Sequence, residues 1–356
     1  MKPEPASFDT ANKVRSLPLE RWPDADRLAW VAACRPAQRL KRGGAAVHMR
    51  DITRRDLVRR YGYFLDHIVR TEGLDRNAQA AGYVAPDRAA RFRTELEARV
   101  SSVTVYGTIY KLRRMSQLLA PERDFTWLRE IERDLSLVMV PRSKFDRLIY
   151  ANVLVDAGMT LMIGADAAIH RSGLGRARQY RDGLMLAFLA FHPFRLKNFA
   201  ALEIGGTFRK VNGKRWIVLS ASDTKEKRPD ERLVDPALIP WVDRYLRIHR
   251  PILARTDDAS AYLWLSSNDG SAMTYGAVER VIKETTLGTV GVDVSPHLFR
   301  TSGVSTCAVH AGDQPYLGSA LMHHTDPAVA EEHYNRALCA SAAQKFADLI
   351  MTLRDE

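Results

Sequence analysis

The chain has 356 residues, 46% of them hydrophobic and 27% charged, which is the composition of a folded globular protein with about two domains. Its longest apolar run, residues 183–191, is shorter than the roughly 20 residues of a membrane-spanning helix, and no secretory signal is evident. Lysine and arginine exceed aspartate and glutamate by 11, and residues 1–150 carry +10 of that excess. We therefore expect no membrane partner, and a basic first half that either binds a polyanion or is simply solvated.

The first half of the chain reads as a tail followed by helices. Residues 1–46 contain five prolines and are interpreted as a tail and linker around one short helix at residues 24–34. From Thr53, which we expect to cap a helix, apolar residues recur at helical spacing through Ile68. Similar patterns predict helices over residues 86–100, 102–119 and 125–135. Residues 47–140 are therefore predicted to form an all-helical domain with basic faces.

The second half mixes helices with a short stretch of β-structure. Pro141 marks the predicted junction with a second domain, residues 141–356. Strands are predicted at residues 207–211 and 214–219 around Asn212-Gly213, a strong hairpin signal, with a third strand at 232–234. Helices are predicted at residues 143–162, 176–191, 236–249, 274–283, 296–310, 327–334 and 341–353. The expected fold is mainly α with a small antiparallel β-sheet, as an all-α domain followed by an α+β domain.

Two common kinds of site are disfavoured by the sequence. Gly206, Gly213 and Lys214 superficially match a P-loop, but six residues separate the glycines and Arg215 replaces the serine or threonine that would bind magnesium. Histidines such as His323 lack an HExxH helix or other metal-ligand spacing, and the three cysteines are far apart. We therefore expect no ATP, no metal, no other cofactor and no disulfide framework, in a reducing cytoplasm.

An ordered set of basic residues and one tyrosine carries the functional signal. In chain order the set is Arg195, Lys225, His297, Arg300, His324 and Tyr334. The His-x-x-Arg spacing alone is uninformative, because it also occurs elsewhere in the chain, as at His67 and His333. Taken together, the order and spacing resemble the tyrosine recombinase (phage integrase) family over roughly residues 47–350.

The resemblance implies a site-specific DNA recombinase that cleaves and rejoins strands through a covalent 3′-phosphotyrosine. Arg195 and Arg300 would clamp the phosphate, because guanidinium forks stabilise the charge that develops on its oxygens. Tyr334 would be the nucleophile. Lys225 would protonate the leaving 5′ oxygen, with Lys227 as an alternative two residues along the same predicted strand face.

Two further roles and one departure follow from the same resemblance. His297 would assist proton transfer, and His324 would bond the phosphate. Asn198 stands where many family members carry an acid that orients the catalytic groups, which leaves that hydrogen bonding open.

The resemblance also implies an assembly and a genetic context. Residues 47–140 would be the core-binding domain and residues 141–356 the catalytic domain of a clamp around double-stranded DNA. The chain would form a tetramer on paired DNA sites, encoded by a mobile element. The apolar stripe of the predicted helix 341–353 would dock on a neighbouring protomer or pack on its own domain. The alternative function is a DNA-binding regulatory or architectural protein that keeps the fold without cutting.

Overall fold

The computed structural model describes residues 15–39, 42–141, 145–224, 227–255, 260–311, 314 and 316–322. The chain divides into two compact units, Met1–Arg142 and Ser143–Glu356, so the boundary lies beside Pro141. As expected, the fold is mainly helical with one small antiparallel sheet in the part of the chain described. The predicted helices at residues 327–334 and 341–353 lie outside the described residues.

The first unit is built of helices packed around an aromatic and aliphatic core. They are α1 (Asp24–Cys34), α2 (Asp51–Thr71), α3 (Pro86–Glu97), α4 (Ser102–Leu119) and α5 (Thr126–Val138). Every member of the predicted apolar stripe of α2 is buried, namely Leu57, Tyr61, Phe64, Leu65 and Ile68. The expected cap at Thr53 is wrong, because α2 begins two residues earlier. Asp51 in its first turn complements the helix dipole there and pairs with Arg54.

Residues 15–46 were expected to be part of a tail and linker, and the structure corrects this. Trp22 is fully buried, donates its indole N–H to the Leu17 carbonyl over 3.0 Å, and packs edge-on against Tyr61 with ring centroids 4.9 Å apart. Trp30 and Ala46 are buried in the same core. The prolines suggested an unstructured segment, but two tryptophans supply enough apolar surface to anchor it.

The second unit is organised around one central helix. Its helices are α6 (Ala151–Ala167), α7 (Gly173–Phe191), α8 (Leu196–Ala200), α9 (Ile239–Arg244), α10 (Arg250–Ala254), α11 (Tyr275–Val290), α12 (Pro296–His310) and α13 (Leu317–Met322). Every residue of α7 from Gly183 to Ala190 is buried. This explains the longest apolar run in the sequence, since a helix covered on all sides needs no polar face.

A pair of glycines allows α6 and α7 to cross closely. A Cβ atom on Gly158 would lie 2.6 Å from the Gly183 carbonyl oxygen, and one on Gly183 would lie 2.6 Å from the Gly158 carbonyl oxygen. Real Cβ atoms do not approach backbone oxygens so closely, so both positions require glycine. The backbone contact fixes α7, whose carboxyl end leads into the candidate site.

The sheet contains β1 (Phe208–Val211), β2 (Lys214–Leu219) and β3 (Asp230–Leu233), in that order. Strands β1 and β2 pair antiparallel around Asn212 and Gly213, whose φ angles of 50° and 78° are both left-handed, as the hairpin signal predicts. Trp216 of β2 lies opposite Leu233 of β3. The third strand begins two residues before its predicted start.

Three predicted helices differ most from the structure. The helix predicted at residues 274–283 continues to Val290 as α11. The helix predicted at residues 143–162 runs from Ala151 to Ala167, and the Ala151 N–H donates to the Thr306 hydroxyl over 2.9 Å, a tertiary partner that no local pattern reveals. The segment predicted as one helix at residues 236–249 is divided into successive elements. These are a 3-10 turn, α9, a wider π turn at Tyr245–His249, and α10. Pro251 lacks the N–H that would bond the carbonyl four residues earlier, so the helix widens just before it.

Candidate active site

Arg195 projects from a backbone held on both sides. The chain leaves α7 at Phe191, and Phe194 is buried with its ring stacked on His192 at a centroid distance of 6.0 Å. The Arg195 carbonyl then accepts the N–H groups of Asn198, over 2.9 Å, and Phe199, over 3.1 Å, as α8 begins. The backbone that carries the half-buried Arg195 side chain is therefore held in place.

Arg300 lies on the buried face of α12, which begins at Pro296. Its side chain is 7% exposed. Its Nη1 donates to the Pro193 carbonyl over 2.7 Å, and its Nη2 donates to the Met322 carbonyl over 2.9 Å. One guanidinium thus links α12, the segment before Arg195, and the end of α13. Bonds from a charged donor to buried carbonyls are among the stronger ones in proteins.

Arg195 and Arg300, predicted from separate motifs 105 positions apart, meet in one cavity of about 380 Å³. The other lining residues are Phe194, Asn198, Thr224, Arg228, Asp230, Arg232, Tyr316, Ser319, Ala320 and Met322. Among these described residues four are arginines and one is an aspartate, so the cavity is strongly electropositive. Such a site favours an anion whose negative charge is delocalised over several oxygens, as in a phosphodiester.

Asp230 and Arg232 form one wall of the cavity from the same face of β3. The Arg232 guanidinium donates to both Asp230 oxygens, over 2.8 and 2.9 Å, and each side chain is 11% exposed. The guanidinium also lies 4.8 Å from the centre of the Phe194 ring, a cation–π contact. This pair therefore braces the residue that directly precedes Arg195.

His192 is a neutral histidine behind this wall. Burial first, and then the nearby positive charge of Arg232, lower its pKa to about 4, while Asp235 and Asp230 oppose the shift. Its Nε2 accepts the Asp235 N–H over 3.4 Å. At neutral pH the ring therefore adds no charge to the cavity.

The remaining predicted residues divide into two groups. His297 is described, and it is exposed in the first turn of α12 and absent from the cavity lining. Lys225, His324 and Tyr334 lie outside the described residues. Lys225 follows the lining residue Thr224 directly in sequence, and His324 comes two residues after Met322.

Lys227, the alternative to Lys225, was expected to share a strand face with it, and this expectation is wrong for Lys227. It lies in the connection between β2 and β3 with a left-handed φ of 53°, and the period-two alternation of a strand does not apply there. Its side chain is exposed and does not line the cavity.

Sequence reasoning missed Arg228, Asp230, Arg232 and Tyr316 as cavity residues. A signal existed for Asp230 and Arg232, because residues two apart on a strand share a face. The strand was predicted to start only at Arg232, so this alternation was not visible.

Within the described ranges no cluster of three or more histidine, cysteine, aspartate or glutamate side chains could hold a metal ion. No helix in the described part of the chain is long and apolar enough to cross a membrane.

Comparisons with known proteins find similarity in structure alone. No protein-family model matches the sequence, and no curated protein matches it. The structure of XerH site-specific recombinase bound to difH substrate, a pre-cleavage complex, aligns with a TM-score of 0.52 at 15% identity, over 92% of this chain and 99% of that one.

Two further solved structures align less closely. XerH bound to palindromic difH substrate, a post-cleavage complex, gives a TM-score of 0.46 at 12% identity over 93% of this chain and 99% of that one. XerA recombinase gives 0.37 at 15% identity over 85% and 94%. The likeness to the pre-cleavage complex, together with the helical architecture and its small sheet, leads to one conclusion: this chain has the tyrosine recombinase fold.

Proposed function

We propose that this protein is a site-specific DNA recombinase that cleaves and rejoins DNA through a covalent 3′-phosphotyrosine, without metal or ATP. The observation that carries the proposal is the meeting of Arg195 and Arg300 in one electropositive cavity. Their guanidinium groups would stabilise the negative charge that grows on the non-bridging oxygens of the scissile phosphate.

In the proposed reaction the Tyr334 hydroxyl loses its proton to water, and its oxygen attacks the phosphorus. A bond forms between the tyrosine oxygen and phosphorus, the bond from phosphorus to the 5′ oxygen breaks, and Lys225 gives that oxygen a proton. His297 would assist proton transfer, and His324 would bond the phosphate. Attack by a different 5′ hydroxyl reverses the step and rejoins the strands, so no external energy source is needed.

Further support comes from the chain adjacent to the cavity and from the charge of its first half. Thr224 lines the cavity and is followed directly in sequence by Lys225. Met322 also lines the cavity, and His324 comes two residues after it. The excess of +10 in residues 1–150 supports double-stranded DNA as the partner, because phosphate neutralisation provides most sequence-independent affinity. The XerH structure with its difH substrate supports DNA as the substrate here. A tetramer on paired sites, encoded by a mobile element, belongs to the same proposal.

The test is to locate the covalent bond by mass spectrometry. The protein is incubated with sheared chromosomal DNA of the organism that encodes it, adducts resistant to SDS are recovered, and the DNA is digested to single nucleotides. We expect a nucleotide on the peptide that contains Tyr334, and no adduct with Tyr334→Phe.

Tyr316→Phe is the matched variant, because Tyr316 is a tyrosine that lines the cavity and is the obvious competing nucleophile. We expect Tyr316→Phe to keep the adduct. Loss of the adduct in Tyr316→Phe and not in Tyr334→Phe would move the nucleophile to residue 316. DNA binding without any adduct would favour the alternative, a DNA-binding protein that does not cut.

A further inference from the structure

The four arginines of the cavity differ in exposure and in pairing. Arg300 is buried and donates to two carbonyls, and Arg195 is half-buried. Arg232 is half-buried, with its side chain 11% exposed, and holds Asp230 with two hydrogen bonds. Arg228 is exposed, and among the described residues it forms no ion pair with an acidic side chain. Of the two arginines that the sequence analysis missed, Arg228 is therefore the one available to an anion arriving from solvent.

The backbone of Arg228 is fixed although its side chain is exposed. The buried Thr224 hydroxyl accepts the Arg228 N–H over 3.1 Å and donates to the Arg228 carbonyl over 2.6 Å. Both backbone groups of Arg228 are thus held by one side chain. The residue before it, Lys227, has a left-handed φ of 53°, a conformation that costs free energy for a side chain with a Cβ. The turn therefore holds a long cationic side chain at a defined position on the cavity wall.

We propose that Arg228 binds a DNA backbone phosphate next to the one assigned to Arg195 and Arg300. This inference rests on the proposed function, since it takes DNA as the ligand. A DNA strand carries one phosphate per 3.4 Å of helix axis, so a strand that places one phosphate against the two deeper arginines presents another close by. An exposed arginine with a fixed backbone suits such a contact, and it adds affinity without touching the reacting atoms.

The experiment measures how the affinity of the full-length protein for DNA depends on salt. The probe is a fluorescent 40-base-pair duplex of arbitrary sequence, because phosphate contacts do not depend on sequence. Dissociation constants are measured from 50 to 300 mM NaCl for the wild type, Arg228→Ala and Arg228→Lys. Arg247→Ala is the matched control, because Arg247 is exposed in the same unit, does not line the cavity and has no ion pair with a described residue.

Each phosphate contact contributes about 0.9 to the slope of log affinity against log salt. We expect Arg228→Ala to lower the magnitude of that slope by about 0.9 and to weaken binding several-fold at 100 mM salt. Arg228→Lys should keep the slope, and Arg247→Ala should match the wild type. If the wild type binds and Arg228→Ala keeps its slope, the Arg228 contact is refuted while the proposed function stands. If the wild type does not bind duplex DNA, both are refuted.

Discussion

His192 gives the second unit a specific pH dependence. Its folded-state pKa of about 4 lies below the value of about 6.5 for an unfolded histidine, so between these values the unfolded chain binds a proton that the folded chain does not. Stability must therefore fall as pH falls from about 6.5 towards 4. At pH 5 the loss from this one group should be about 2 kcal/mol.

The prediction is checked with urea unfolding of the wild type and His192→Gln at pH 7 and pH 5. The wild type should lose about 2 kcal/mol more than the variant, because glutamine has no proton to gain in this range. Equal losses would mean that His192 is protonated in the folded protein.

The identity of the general acid is a second question at the residue scale. A 5′-bridging phosphorothiolate has a leaving group that needs no proton, so it should restore cleavage to the variant that lacks the acid. Once the cleavage site is mapped, we expect rescue of Lys225→Ala and no cleavage defect in Lys227→Ala, because Lys227 lies off the cavity. Rescue confined to Lys227→Ala would assign the acid to residue 227.

Among the helices, α6 and α7 cross at a close backbone contact, and the carboxyl end of α7 leads to Arg195. A methyl group on Gly183 would meet the Gly158 carbonyl oxygen at 2.6 Å and the Leu161 Cβ at 2.8 Å, and two backbones would have to separate. We expect Gly183→Ala to destabilise the protein by about 1–3 kcal/mol. Thermal and urea unfolding measure this directly.

Gly288→Ala is the matched control for that substitution. Gly288 lies within α11, and nothing is within 4 Å of the position its Cβ would take. Alanine should therefore stabilise the protein by about 0.5–1 kcal/mol through its higher helix propensity. Opposite signs for the two variants support the close crossing, and a neutral Gly183→Ala would argue against it.

Elements with a local signal were predictable, and those fixed by tertiary contacts were not. Helix α1 and helix α12 have the predicted bounds, and Asn212-Gly213 forms the predicted hairpin, because caps, periodicity and turn residues are local. The start of α6 depends on Thr306, far away in sequence. The burial of Trp22 depends on Tyr61, and a short segment rich in proline gave no sign of it.

The candidate site was also predictable only in part from the sequence. The order of the motifs predicted that Arg195 and Arg300 belong together, and the cavity brings them together. Nothing in the sequence indicated that Arg228 joins them, because its position depends on the hydrogen bonds from Thr224 across the turn.

At the scale of the whole molecule, the proposed assembly makes a prediction about the end of the chain. Residues 341–353 lie outside the described residues, and as the predicted helix they would carry an apolar stripe of Phe346, Leu349, Ile350 and Leu353 that would need to be buried. If it docks on a neighbouring protomer, head-to-tail contacts can close into a ring. Truncation after Ala340 should then leave a folded protein that binds one DNA site but neither pairs two sites nor completes strand exchange.

Circular dichroism and gel-shift assays with one and two sites distinguish the outcomes. Unfolding of the truncated chain would show that the stripe packs on its own domain. Recombination at the full-length rate would show that the segment is dispensable, and either result removes the docking model.

Adduct formation in excess EDTA shows whether arginines and a tyrosine cleave DNA here without a metal ion. Arg195 and Arg300 meet in the cavity, and their charge is proposed to stabilise the transition state. We predict that the wild type forms the same amount of SDS-resistant protein–DNA adduct with and without EDTA, and that Tyr334→Phe forms none. Loss of the adduct in EDTA, restored by added Mg²⁺ or Zn²⁺, would show that cleavage depends on a metal ion and that the arginines do not replace it.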